Sequence, residues 1–504
     1  MQGKIDDLVL NPESTIKRAE QPLVQPVGNS LLHSIVWNAA GDWISQIFSW
    51  AAFLIVVRLL SPADFGIVAM AATLGPLVQY FAGCGIPRAI VTMRDLSDEQ
   101  LAQLNTLCCM LGLASFGVAC LLAKPLAMFY GTPRVAPVFI VSCIGLLFAG
   151  AQAVSNGLLL RAKRFRELSI FAAMSAMLSA ALTLLFAWLR WGYWALVLGA
   201  LPSVIFRAGL VMRTRRQSYA WPRWNSVKHP LRFGIYVVFS MIALNFYQNL
   251  DNLTAGRMLG QTALGLYAMA WTLAYVPLDK VTSMVTTVLP AYVAAVQTDL
   301  NEVRRYVRVL TENLALLMFP ACVGFGLVAH ESIPFVLGSK WEGVAAPLEV
   351  LSIYAAFRSI AALLPKVLIA LGYPRFVMWN DIAAILVLGL AFVAGSHWGI
   401  TGIAWGWVVG YPLVIIPLYR KAFTTIGMKL GEYMAGLRPA IEGTIFMAIA
   451  VEFVKRSLPN TLPLVARLGL EIASGAVFYS ATMLLRHHER IVAFWKMAKG
   501  FRKA

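Results

Sequence analysis

The residues with chemistry to offer in this sequence are charged and amide side chains stranded in long apolar runs. Arg88, Arg207, Lys280, Arg358 and Lys366 are the cations; Asp42, Asp251, Asp279, Glu312, Asp381 and Glu442 are the acids. A charge at the centre of a bilayer-spanning helix costs about 2.5–3.5 kcal/mol, so each is a functional candidate until a local partner explains it. Arg358 stands near the middle of its run with no acid nearby in sequence. Lys280 adjoins Asp279, and successive residues on a helix point to different faces, so the two do not simply neutralise each other. Arg88, Arg207, Lys366 and Asp381 fall near the ends of their runs, where snorkelling to the interface accounts for them as well as a role in a cavity does.

Two runs carry polar stripes at helical spacing. Asn38, Asp42, Ser45, Gln46 and Ser49 form the first, and Asn245, Gln248, Asn249, Asp251 and Asn252 the second. Such faces either line a hydrated path or bond neighbouring helices together. Trp43 and Trp50 lie beside the first stripe; Tyr247, Tyr267, Trp271, Tyr275 and Tyr354 accompany the second. Aromatic rings suit the apolar face of a sugar, and equally an interfacial belt or plain packing.

The elements that must position these residues follow from composition. The chain has 504 residues, 59% hydrophobic and 13% charged, with mean hydropathy +0.70. Soluble domains carry about 25% charged residues, so a soluble enzyme is excluded. Apolar runs punctuated by Gly, Pro or charge cover 35–60, 65–90, 101–123, 135–158, 168–189, 192–212, 231–256, 265–290, 306–330, 344–370, 376–396, 399–419, 437–455 and 463–485. At about 20 residues per span, this is an all-α polytopic membrane protein of about 14 transmembrane helices. Residues 1–30 read as a cytosolic tail with no signal-peptide core, 31–213 as an N-terminal lobe of six spans, and 214–230 as a basic cytosolic linker. A C-terminal lobe of six spans follows at 231–422, then two additional spans at 423–486 and a basic tail at 487–504. Connections are too short for an extramembrane catalytic domain.

The net charge of +18 reads as basic residues kept on the cytoplasmic side rather than as a nucleic-acid surface. Arg161, Lys163, Arg164 and Arg166 share one loop, and Arg213, Arg215, Arg216, Arg223 and Lys228 another on the same side. The opposite side has only scattered cations such as Arg58, Lys124, Arg134, Arg257 and Lys340. Both termini are therefore expected in the cytoplasm. The chain also repeats itself: Arg58-Leu-Leu-Ser-Pro-Ala-Asp-Phe-Gly66 aligns with Arg257-Met-Leu-Gly-Gln-Thr-Ala-Leu-Gly265, and the same displacement carries Gln46 onto Asn245 and Ser49 onto Gln248. A parallel repeat of six spans predicts two pseudo-symmetric lobes around a cleft, the layout of many alternating-access transporters. Ser61-Pro62-Ala63-Asp64 is a helix start with a capping box. The six cysteines show no metal or redox spacing, and no nucleotide-binding, hydrolase or zinc-peptidase motif occurs, so neither a cofactor nor a metal is expected.

Phe129-Tyr-Gly-Thr-Pro133-Arg, Asn249-Leu-Asp251-Asn252, Gly256-Arg257-Met-Leu-Gly260, Val336-Leu-Gly338-Ser-Lys340-Trp341 and Leu371-Gly372-Tyr-Pro374-Arg375 resemble the polysaccharide transporter family. This is the oligosaccharide-lipid flippase branch of the multidrug/oligosaccharidyl-lipid/polysaccharide exporter superfamily. The resemblance runs from about Asn38 to Arg420 and reaches the last two spans only in hydropathy. It implies a non-enzymatic carrier in a bacterial inner membrane. Its substrate would be an undecaprenyl-diphosphate-linked oligosaccharide for exopolysaccharide or lipopolysaccharide production, its partners membrane lipids and other polysaccharide-assembly proteins. On that reading Arg358 and Lys280 engage the diphosphate, Arg88 and Lys366 stand at the mouth, and Asp42, Gln46, Asn245, Gln248 and Asn249 line the glycan path. A proton or sodium gradient is the expected energy source, with Asp42 or Asp251 as the titratable group. Two rivals stay open: a cation-coupled multidrug exporter of the same superfamily, and a membrane-embedded glycan polymerase or ligase.

Overall fold

A computed structural model describes residues 46–83, 85–93, 96–223, 238, 242, 245–276, 299–459 and 462–488. Asp42, Asp279 and Lys280 lie outside the described residues, and of Arg88 only the backbone is described. Among the described residues every regular element is a helix and there is no strand. Backbone N–H and C=O groups in hydrocarbon have no water to bond, and helices satisfy them internally. Large apolar side chains remain on the outside, Leu121 at 77%, Leu390 at 74% and Leu485 at 85% exposure, which suits a surface wetted by lipid.

Among the described residues ten segments are long and apolar enough to cross a membrane: Pro62–Gly83, Asp98–Tyr130, Val135–Arg161, Phe165–Trp188, Trp194–Thr214, Leu300–Leu327, Ser339–Ala370, Pro374–Ser396, Gly399–Ile426 and Leu464–Arg486. The shorter apolar helix Gln46–Leu59 precedes them. Of the expected spans beyond these, Leu430–Ser457 is helical and carries several charges, among them Glu442, Glu452, Lys455 and Arg456. The 231–256 and 265–290 runs are described only in part, as a helical stretch over 245–276.

Several expected spans differ from single uninterrupted helices, among them 135–158, which parts at Ile144, and 344–370, which parts at Ala362. The 65–90 run breaks into Pro62–Ala72, Gly75–Gly83 and Ile86–Thr92, with Gly85 in the left-handed region at φ 63° before Pro87. The connection expected between the 231–256 and 265–290 runs is itself helical, turning at Gly260, whose φ of 85° only glycine adopts without strain. The capping box stands as expected: Asp64 N–H donates to Ser61 Oγ at 3.3 Å, and Ser61 N–H to Asp64 Oδ2 at 2.9 Å.

The repeated segments meet each other reciprocally. A Cβ placed on Gly66 would lie 1.7 Å from the Gln261 carbonyl oxygen, and one on Gly265 would lie 1.8 Å from that of Pro62. Only glycine lets the two backbones approach this closely. The repeated arginines cross over as well. Arg58 donates to the Val336 carbonyl at 2.9 Å and the Phe335 carbonyl at 2.7 Å, while Arg257 donates to the Phe129 carbonyl at 2.7 Å. Each guanidinium thus neutralises the C-terminal carbonyls of a helix from the other half of the sequence, where a cation is favoured by the helix dipole. Lys340 Nζ to the Arg58 carbonyl at 2.7 Å and Trp341 Nε1 to the Val57 carbonyl at 2.9 Å complete the seam.

The last two helices pack on Leu300–Leu327, where Tyr479 Oη donates to the Leu316 carbonyl at 2.6 Å. A buried charge network holds them: Glu331 Oε1 lies 3.0 Å from Lys455 Nζ and 3.7 Å from Arg467 Nη2, whose Nε lies 3.2 Å from Glu471 Oε1.

Candidate functional site

Three helices of the second half each bring residues spaced by four, and therefore on one face, to a common point. The 245–276 helical stretch supplies Tyr267, Trp271 and Tyr275; Ala345–Ala361 supplies Tyr354 and Arg358; Gly399–Ile426 supplies Trp407 and Tyr411. Trp271 stacks on Tyr275 at 4.9 Å and on Tyr354 at 5.8 Å between ring centroids. Trp407 stands 4.8 Å from Tyr354 and 5.2 Å from Trp271, making a continuous aromatic wall.

Arg358 is set into this wall. Its Nε donates to Tyr275 Oη at 2.9 Å and its Nη1 to Tyr247 Oη at 3.3 Å and Tyr411 Oη at 3.4 Å, with its guanidinium carbon 5.6 Å from the Tyr411 ring centroid. A guanidinium has five N–H donors. Nε and Nη1 are engaged by neutral hydroxyls, while Nη2 meets no acceptor among the described residues. None of those residues brings a carboxylate within ion-pair distance of Arg358. The tyrosines fix the cation's direction; the carboxylate of Asp381 on Pro374–Ser396 is near enough to offset part of its charge but beyond ion-pair distance, so the free edge can still take a planar or tetrahedral oxyanion.

Asp251 lies at the other end of the wall. It is fully buried, and its Oδ2 accepts from Tyr267 Oη at 2.8 Å and Trp407 Nε1 at 3.0 Å; its Oδ1 accepts from the Asn252 N–H at 2.8 Å. Asp251 thus ties the 245–276 helical stretch to Gly399–Ile426 and sets the plane of Trp407. In this conformation it is enclosed rather than placed along an open path. The sequence offered it as a polar-stripe residue and a coupling group; in the fold it also positions Trp407 in the wall.

The remaining predicted residues are placed unevenly. Asn245 is buried and its Oδ1 has no partner among the described residues, while its backbone carbonyl takes the Asn249 side-chain N–H at 3.0 Å. Gln248 is exposed. Gln46 is half-buried on the first-half helix. Lys366 is exposed on Leu363–Ala370, two turns beyond Arg358. Glu312 and Glu442 have local partners, Arg308 at 2.8 Å and Arg438 at 2.6 Å, which explains their cost in the apolar runs.

Residues 55–346 match the family described as polysaccharide biosynthesis protein. The chain belongs to that family. Among its relatives, teichuronic acid biosynthesis protein TuaB of Bacillus subtilis is 23% identical over 90% of this chain and 95% of its own length. Succinoglycan biosynthesis transport protein ExoT of Rhizobium meliloti is 25% identical over 88% of this chain and 91% of its own. The fold is similar to that of lipid II flippase MurJ in an inward closed conformation, with a TM-score of 0.74 at 12% identity, covering 90% of this chain and all of that one. The protein is thus a multi-pass membrane member of the polysaccharide biosynthesis protein family, with a fold like that of MurJ.

For this family member, the sequence reading missed Trp407 and Tyr411 as site residues. Their spacing of four in an apolar run was the available signal, but nothing in one sequence ties that face to Asp251 or Arg358.

Proposed function

We propose that the protein is a flippase that moves an undecaprenyl-diphosphate-linked oligosaccharide from the inner to the outer leaflet of a bacterial cytoplasmic membrane by alternating access. The observation that carries this reading is Arg358: a cation deep in an apolar helix, aimed by three tyrosines, with its Nη2 edge unused. A diphosphate cannot cross about 30 Å of hydrocarbon unaided. Arg358, with Lys280, supplies charge-assisted hydrogen bonds to it, and the aromatic wall gives a flat apolar face for sugar rings. The polyprenyl chain stays in lipid. Both termini lie in the cytoplasm, and an ion gradient drives the cycle.

The multidrug-exporter alternative needs a carboxylate open to an organic cation. Asp251 already has three donors and no exposed surface, which favours the anionic substrate. A polymerase or ligase would need acids or histidines gathered on outside loops, and the loops are short. The deciding experiment reconstitutes the protein in vesicles with a fluorescent lipid-linked oligosaccharide and scores leaflet exchange with and without a proton or sodium gradient. Exchange equal to that of protein-free vesicles under every gradient overturns the reading.

A further inference from the structure

Residues 215–223, the start of the basic linker between the two halves, form a strap laid across the N-terminal half. Ser155 Oγ donates to the Arg215 carbonyl at 2.8 Å, the Asn105 amide to the Ser218 carbonyl at 3.3 Å, and the Ala220 N–H to Thr106 Oγ1 at 3.2 Å. Arg223 closes the strap, its N–H on Gln103 Oε1 at 3.2 Å and its Nη1 3.3 Å from Glu99. Beneath the strap is a cavity of about 320 Å³, lined by Asn105, Ser155, Arg213, Arg216, Gln217 and Tyr219.

Two features of this cavity are unspent. Arg213 and Arg216 are both exposed at its mouth, and among the described residues neither has a carboxylate within ion-pair distance. Asn105 is 2% exposed, and its buried Oδ1 accepts no hydrogen bond among the described residues although its amide nitrogen is engaged. Enclosed acceptors are rarely left unmet. The arginines ask for an anion. Asn105 asks for a donor, which a phosphodiester lacks and a hydroxyl has. A water molecule would answer Asn105 alone, whereas a single ligand with both a phosphate and a hydroxyl would engage the exposed arginines and Asn105 together. The strap also exposes Tyr219 at 61% and Trp221 at 78%, amphipathic rings of the kind that settle at headgroup level.

We propose that this cavity seats the headgroup of an anionic phospholipid, a phosphodiester bearing free hydroxyls of the phosphatidylglycerol type, in the cytoplasmic leaflet. Arg213 and Arg216 take the phosphate, and Asn105 Oδ1 accepts from a headgroup hydroxyl. The site goes beyond the proposed transport activity and takes from it only the orientation that puts the linker in the cytoplasm.

The test is lipid retention rather than leaflet exchange, so its failure is separate from failure of the transport reading. The purified full chain is equilibrated in nanodiscs of phosphatidylcholine mixed with phosphatidylglycerol or with phosphatidic acid, and retained lipid is counted by native mass spectrometry. Wild type is expected to retain phosphatidylglycerol over phosphatidylcholine. Each basic residue at an anionic surface contributes about fivefold, so R213Q with R216Q should lower that preference about thirtyfold. Both arginines are exposed, so these variants test the site without disturbing the core. Asn105→Leu should abolish the preference for phosphatidylglycerol over phosphatidic acid while leaving that for anionic lipid intact. Equal retention of phosphatidylglycerol and phosphatidylcholine by wild type overturns the proposal, as does a preference unchanged in the double arginine variant. Displacement of bound lipid by soluble glycerol phosphate at equal concentration overturns the lipid as the occupant.

Discussion

Arg358 Nε and Tyr275 Oη are joined at 2.9 Å, linking a charged helix to the end of the aromatic ladder on another. The bond holds the guanidinium with its outer edge free. Arg358→Ala should therefore stop leaflet exchange while leaving membrane insertion intact. Arg358→Lys keeps the charge but loses the fork, and Tyr275→Phe keeps the fork but loses its aim. A hydrogen bond to a charged group is worth about 1.5–3 kcal/mol, so each conservative variant should weaken substrate binding roughly 10- to 100-fold. Titration with the lipid-linked oligosaccharide measures this. Wild-type exchange by Arg358→Ala would remove the cation from the substrate path.

The bonds to Asp251 make a second prediction, this one about stability. Trp407→Phe keeps the ring but deprives Asp251 Oδ2 of one of its two donors. Leaving a buried group short of a partner costs about 1–3 kcal/mol, so the variant should unfold at lower temperature in detergent. Asp251→Asn still offers an oxygen to Trp407 and Tyr267, and should lose less stability than Asp251→Ala. Equal melting of all three variants and wild type would mean that the bonded carboxylate does not hold the wall.

The sequence was readable where one residue type and a short spacing determine the outcome. Ser61, Pro62 and Asp64 announce a helix start, and Arg358 announces a site because a lone cation in an apolar run needs a reason. The polar stripe of Asn245, Gln248, Asn249 and Asp251 was readable as a stripe but not as a surface. In the fold Asn245 and Asp251 are buried, Asn249 bonds its own helix and Gln248 is exposed, since which face meets a neighbour depends on packing far away in sequence. Trp407 and Tyr411 were missed for that reason. The repeat of Arg58 and Arg257 was visible, but its meaning was not, because each arginine acts on a helix end more than a hundred residues away.

The seam formed by those repeats leads to a conformational prediction. Gly66 and Gly265 allow backbone contact that no side chain tolerates. Gly66→Leu, or Arg58→Gln combined with Arg257→Gln, should part the two halves at this end. Spin labels on cysteines introduced at the exposed positions Leu59 and Met258 would report the separation by pulsed electron resonance. A longer distance in both variants is expected, with a shift in the rate of leaflet exchange. Unchanged distances would mean that the seam does not control this end.

The network under the last two helices supplies the final prediction. Glu331 and Glu471 are buried, and each has one carboxylate oxygen on a cation and the other without a partner among the described residues. Breaking a buried pair by removing one member costs about 3–5 kcal/mol, because the remaining charge stays enclosed. Lys455→Met should therefore lower the melting temperature, by less than that full cost because Arg467 still faces Glu331 at 3.7 Å. Glu331→Gln combined with Lys455→Met removes both charges and should recover much of the loss, leaving Arg467 to pair with Glu471. The coupling in this double-mutant cycle separates an ion pair from simple packing of the lysine stem. Additive losses would show that the Glu331–Lys455 pair does not hold the helices; a strong coupling would show that these charges anchor them to the Glu331 region.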